Sequence, residues 1–163
     1  MVKNENSGIV SVKFLNKSYL LASFLFFGCA STAYDSVQAE ADWKARYELC
    51  QNQGVENKIA FPDSPWFDSL SFDDKKTVIG YFANYSDRQC MSEASIKLKS
   101  ILVREGNQAK LDYYEIDFTP LKQLARERTQ HLNKTQLKNL EQEFKAPFNL
   151  RYMLEQEDLF PQN

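Results

Sequence analysis

The stretch 71–90, SFDDKKTVIGYFANYSDRQC, constrains the fold of this chain more than any other. Ser71 and Asp74, three places apart, have the spacing of a capping box and predict a helix starting at Phe72. At about 100° per residue, Phe72, Val78, Ile79, Tyr81, Phe82, Ala83 and Tyr85 sweep an arc of roughly 200°. Asp73, Lys76, Thr77, Gly80, Asn84, Asp87 and Arg88 fill the remainder. A surface helix buries a narrower stripe, so this helix is expected to be central, with neighbours on two sides. Cys90 at its end is placed to be tied to an earlier element.

The flanking sequence supplies those neighbours. Asp42 is a candidate cap for a helix carrying Trp43, Tyr47 and Cys50 at i, i+4 and i+7, with Gly54 as its stop. Segment 55–63 is expected to cross irregularly. Ser64-Pro65 has the N-cap-then-proline start of a short turn whose Trp66, Phe67 and Leu70 plug the central helix. After Cys90 a second helical pattern runs to Glu105, with Gly106 as its stop. Cys90, Met91, Ala94, Leu98, Ile101 and Leu102 share its inner face, while Ile96 and Val103 lie seven residues apart on the opposite face. Segment 111–118 keeps no strand phase, and Leu111, Tyr114 and Phe118 fit a helix better. Thr119-Pro120 repeats the cap-then-proline start, and Leu121, Leu124, Ala125 and Leu132 follow as an inward stripe. Asn133 and Gln136 form a further capping pair ahead of Leu137, Leu140 and Phe144. Pro147 interrupts, and Leu150, Met153 and Leu154 form one last short helix. With only five Gly and five Pro in 163 residues, a turn-rich β sandwich or barrel is disfavoured. The expected fold is all-α: one small domain over 41–163, about five to seven helices tied by one disulfide.

The N-terminus has the features of an export signal. Lys13 and Lys17 precede a nine-residue apolar run, 19–27. A permanent membrane helix needs about 20 residues, so a secretory signal fits better. Two processing routes are open. In one, residues 1–28 are removed and Cys29 is lipidated. The sequence Phe26-Phe27-Gly28-Cys29 resembles the bacterial lipoprotein signal, with Phe26 and Phe27 where aliphatic and small residues are usual. In the other, cleavage follows the small-residue pattern Val37-Gln38-Ala39, with Ser31-Thr32-Ala33 as a further site. Residues 29–40 then read as a flexible tether. Either route places the protein in the periplasm, soluble or held to a membrane by a lipid at Cys29. It also leaves Cys50 and Cys90 as the remaining pair, which an oxidising compartment joins.

The residue inventory excludes several chemistries. His131 is the one histidine. Without a second His or a Cys-His spacing, a zinc or copper site is poorly supported. No G-x-S-x-G elbow, C-x-x-C pair, EF-hand spacing or glycine-rich phosphate loop is present. Residues 1–29 hold three lysines and one glutamate, so 17 basic residues face 21 acidic ones beyond Cys29. No basic face stands out in that balance, and nucleic-acid binding is disfavoured. The acidic clusters are Asp73-Asp74, Asp112/Glu115/Asp117 and Glu155/Glu157/Asp158, on polar helix faces or loops.

The sequence leads to an exported, non-catalytic helical protein that needs no cofactor and binds another protein, as an assembly escort or an inhibitor or immunity factor. The plan resembles that of small helical lipoproteins that escort secretion-machine subunits, an analogy of architecture alone. The candidate contact residues are Ile96, Val103, Tyr81, Tyr85 and Trp66, since exposed aromatic and branched apolar groups favour interfaces. The alternatives are a carrier holding a small apolar ligand in an aromatic pocket, and a cell-wall glycan hydrolase working through carboxylates.

Overall fold

In the computed structural model, which describes residues 35–160, Asp35 opens the first helix by accepting the Gln38 N–H at 3.0 Å. Helix α1 (Ser36–Glu56) therefore begins six residues before the expected cap, Asp42. Asp42 instead lies in the helix interior, where Gln38 and Lys97 donate to its carboxylate. The end of the expected 29–40 tether is thus helical from Ser36, and Ala39 is packed in the core. Gly54 does not stop the helix, which runs two residues further. The export signal, Cys29 and the cleavage point after Ala33 lie outside the described residues. No helix among the described residues is long and apolar enough to cross a membrane.

Helix α2 (Pro65–Asp68) starts as expected, with Ser64 Oγ accepting from the Phe67 N–H at 3.3 Å. Helix α3 (Phe72–Glu105) starts at the expected capping box: the Asp74 N–H donates to Ser71 Oγ at 3.2 Å, and that hydroxyl donates to the Asp74 carboxylate at 2.8 Å. The two helical patterns expected on either side of Cys90 are one continuous helix of 34 residues, roughly 50 Å long. It ends in a Schellman turn at Gly106, whose φ of 65° suits a residue without Cβ. The Asn107 N–H reaches back to Leu102 O at 3.0 Å and the Gly106 N–H to Val103 O at 3.1 Å. Gly80 has no such reason. It lies mid-helix, and a Cβ there would meet nothing within 4 Å. Gly80→Ala is therefore expected to raise stability by about 0.5–1 kcal/mol through helix propensity. A urea midpoint that falls instead of rising would overturn this.

Six short helices follow: α4 (Gln108–Tyr113), α5 (Glu115–Phe118), α6 (Leu121–Leu124), α7 (Arg126–Thr129), α8 (Lys134–Leu140) and α9 (Leu150–Gln156). The described residues hold nine helices and no strand, so segment 111–118 is helical. The number exceeds the expected five to seven because the chain breaks at Tyr114 (φ −95°, ψ 15°) and Ala125 (φ −87°, ψ 0°). Thr119 does not cap the helix after it. Its hydroxyl donates to Glu115 O at 2.8 Å and closes α5. Asn133 does cap α8, accepting from the Thr135 and Gln136 N–H groups.

Two apolar clusters are strung along α3. Toward its N-terminal half, Val78, Ile79 and Phe82 meet Phe61, Phe67, Leu137, Phe144 and Met153. Toward its C-terminal half, Met91, Leu98 and Leu102 meet Ala39, Trp43, Cys50 and Tyr114. Helix α1 runs antiparallel to α3, fixed by three pairings: the Ser36 N–H to the Glu105 carboxylate, Trp43 to Ser95, and the Cys50–Cys90 disulfide, with Cα atoms 6.0 Å apart. The end of α1 is stitched to the loop before α9. Asn57 Nδ2 donates to Pro147 O, the Asn149 N–H to Asn57 O and Asn149 Nδ2 to Val55 O, each at 2.8 Å. The two donated by Asn149 satisfy the Val55 and Asn57 carbonyls, which a helix end leaves without an internal partner.

Candidate functional site

Helices α1 and α3 line two sides of a groove beside the disulfide, and segment 116–120 forms a third wall. The space between is a cleft of about 490 Å³. From α1 come Trp43, Tyr47 and Gln51 at i, i+4 and i+8, one face of a helix. From α3 come Asn84, Asp87, Arg88, Met91, Ser95 and Lys99 at the same periodicity. Each wall is held in place. Trp43 Nε1 donates to Ser95 Oγ at 3.0 Å. The indole stacks on Tyr47 with centroids 5.6 Å apart and meets Tyr114 edge-on at 5.1 Å. Arg88 turns its guanidinium to the third wall, donating to the carbonyls of Ile116 (2.8 Å), Asp117 (3.3 Å) and Thr119 (2.8 Å). Lys99 Nζ lies 5.7 Å from the centre of the Phe118 ring, within cation–π range.

Two carboxylates line the cleft. Burial pushes the carboxyl groups of both Asp87 and Asp117 above the ordinary range, and the nearby Arg88 partly offsets this for Asp117. Asp87 is half-buried and makes no side-chain hydrogen bond or ion pair among the described residues. The rim is apolar. Ile96 and Ile116 are each 68% exposed and Tyr47 is 46% exposed, and all three line this one cleft.

Behind the Trp43–Tyr114 contact lies a buttress. The Glu40 carboxylate accepts from Lys110 Nζ, from Tyr114 Oη at 2.9 Å and pairs with Lys44 at 3.2 Å. Lys110 first and Tyr114 second hold its pKa down, from 4.5 to about 2. Burial and the Glu40 charge push the Tyr114 hydroxyl up. A carboxylate with a depressed folded pKa stabilises above its ordinary pKa and loses that contribution as pH falls through the folded one. Glu40→Gln is therefore expected to cost about 1–3 kcal/mol at pH 7. It should also flatten the loss of stability between pH 4.5 and about 2. Chemical unfolding of both proteins across that range checks this, and parallel acid limbs would contradict it.

The other expected contact residues are dispersed. Val103 is 60% exposed but lies outside the cleft. Tyr81 is buried, its hydroxyl donates to Glu141 at 3.2 Å, and burial followed by the Glu141 charge pushes its pKa up to about 12. Tyr85 is half-buried beside it, with ring centroids 6.4 Å apart. Trp66 is half-buried against the first cluster. His131 Nε2 pairs with Asp74 at 2.7 Å on the surface, which lowers the Asp74 pKa. Among the described residues no group of His, Cys, Asp and Glu is arranged to hold a metal ion. Asp87, Arg88, Tyr47 and Ile116 were not singled out by sequence reasoning. The helical spacing of Asn84, Asp87, Arg88, Met91 and Ser95 is the signal that marks their wall. No protein-family model, curated protein or solved structure matches this chain, so its function has to be argued from its own residues.

Proposed function

We propose that this chain is an exported, non-catalytic protein that binds another protein through the mouth of the α1/α3 cleft. The observation that carries this is the rim itself: Tyr47, Ile96 and Ile116, all large, apolar and exposed, gather round one opening. Single exposed apolar residues are ordinary, whereas a cluster bordering a cleft is characteristic of interaction sites. Export to the periplasm, as a soluble protein or on a lipid at Cys29, is supported by the basic-then-apolar N-terminus and by a disulfide that suits an oxidising compartment.

The test joins two variants. Ile96→Asp with Ile116→Asp should leave stability within about 0.5 kcal/mol, because both side chains are exposed. It should abolish crosslinking to the partner in the exported compartment, while Val103→Asp should keep it. Equal crosslinking by all three proteins would remove the cleft mouth from consideration.

A carboxylate-dependent glycan hydrolase is the second reading. The observation favouring it is that Asp87 and Asp117 share the cleft and both have raised pKa values. Lysis of purified cell wall that disappears in Asp87→Asn would establish it. A carrier of an apolar ligand fits less well, because Asp87, Arg88, Lys99 and Asp117 all line the space.

A further inference from the structure

The charged groups of the cleft are unequally engaged. Arg88 is directed at three backbone carbonyls of the third wall, and Lys99 lies over Phe118. Asp87, half-buried on the α3 wall, is the charged lining group that engages no side chain or backbone donor among the described residues. A carboxylate removed in part from water and left without a partner is destabilising, and a cation is the group that offsets it. The opposite wall is the stacked pair Trp43 and Tyr47. Aromatic faces attract cations, and a cleft lined by both a carboxylate and the partly exposed Tyr47 ring suits an ammonium or guanidinium group. The apolar rim suits the aliphatic stem of a long basic side chain.

Building on the protein-binding reading, we propose that the cleft receives one lysine or arginine side chain of the partner protein, its charge on Asp87 and its stem toward Tyr47 and Ile116. Charge complementarity of this kind selects the partner more than it tightens the complex. An acidic or neutral residue at that point of the partner would leave Asp87 unpaired and is disfavoured.

The experiment is a titration of the isotope-labelled protein, purified from its own cell, with N-acetyl-arginine amide, N-acetyl-lysine amide and N-acetyl-citrulline amide, followed by NMR. Citrulline has the shape of arginine without its charge. The two basic amides should shift the Trp43 indole and the Tyr47 and Ile116 amide signals saturably at millimolar concentration. Citrulline amide should bind about tenfold more weakly. Asp87→Asn should bring the arginine amide down to the citrulline level, while Asp63→Asn, a carboxylate away from the cleft, should change nothing. Equal binding of citrulline and arginine amides, shifts spread over other acidic faces, no saturable shift, or an unaffected Asp87→Asn would each overturn the proposal. Partner crosslinking that survives Asp87→Asn but not the Ile96/Ile116 double variant would overturn it too, leaving the protein-binding reading in place.

Discussion

Phe82→Ala is expected to lower the unfolding free energy by about 3–5 kcal/mol, the cost of emptying a packed aromatic site. Phe82 is fully buried. Its ring stacks on Phe144 at 4.4 Å and meets Tyr81 edge-on at 5.3 Å and Tyr85 at 6.3 Å. The cavity cannot close easily. One side is the backbone of α3, and the other is an aromatic group in which Phe61 and Phe67 stack at 3.7 Å. Denaturant unfolding gives the value, and a loss under about 1 kcal/mol would mean the site collapses freely. Phe144→Ala should add less to Phe82→Ala than it costs alone, because both remove the same contact.

Reduction of the Cys50–Cys90 bridge is expected to cost up to about 4 kcal/mol, since it frees a closed loop spanning 40 residues in the unfolded chain. The loss should be uneven. Helix α1 and the second cluster depend on the bridge, whereas the first cluster closes through Phe61, Phe82 and Phe144 without it. Hydrogen exchange with and without reductant should therefore show faster opening of α1 than of 78–82. Alkylation before reduction provides the control: two reactive thiols in the untreated protein would show the bridge to be unformed. A midpoint unmoved by reductant would mean that the α1–α3 packing alone holds the pair.

The parts of this fold that rest on short-range chemistry are legible in the chain. Ser71/Asp74, Ser64-Pro65, Asn133 and Gly106 each announce their turn within a few residues, and each is found where the spacing puts it. The buried positions of Val78, Ile79 and Phe82 follow from their periodicity. Helix ends were misplaced where two local signals competed. Asp42 looks like a cap, yet Asp35 does the capping and Asp42 is left to Gln38 and Lys97. The cleft was not legible for a different reason. Its third wall is fixed by Arg88 reaching carbonyls 28 to 31 residues away. Every residue carries a carbonyl, so no residue type marks the acceptor. Tyr47 shares the helical face of buried Trp43 and Cys50, and only the third dimension shows that it closes the stack at the surface.

The early start of α1 bears on where a processing enzyme can cut. A cut after Ala39 would remove the Asp35 cap, the Ser36 tie to Glu105 and the buried Ala39 methyl. It would also put a new ammonium terminus on Glu40, beside the Lys44 and Lys110 that already crowd its carboxylate. A cut after Ala33, or a mature chain beginning at Cys29, leaves all of these whole. On the proposed export route, N-terminal sequencing of the mature protein should therefore find Asp35 present. On the proposed lipidated route, then, only residues 30–34 would separate the lipid-bearing Cys29 in sequence from Asp35, the cap on which α1 starts.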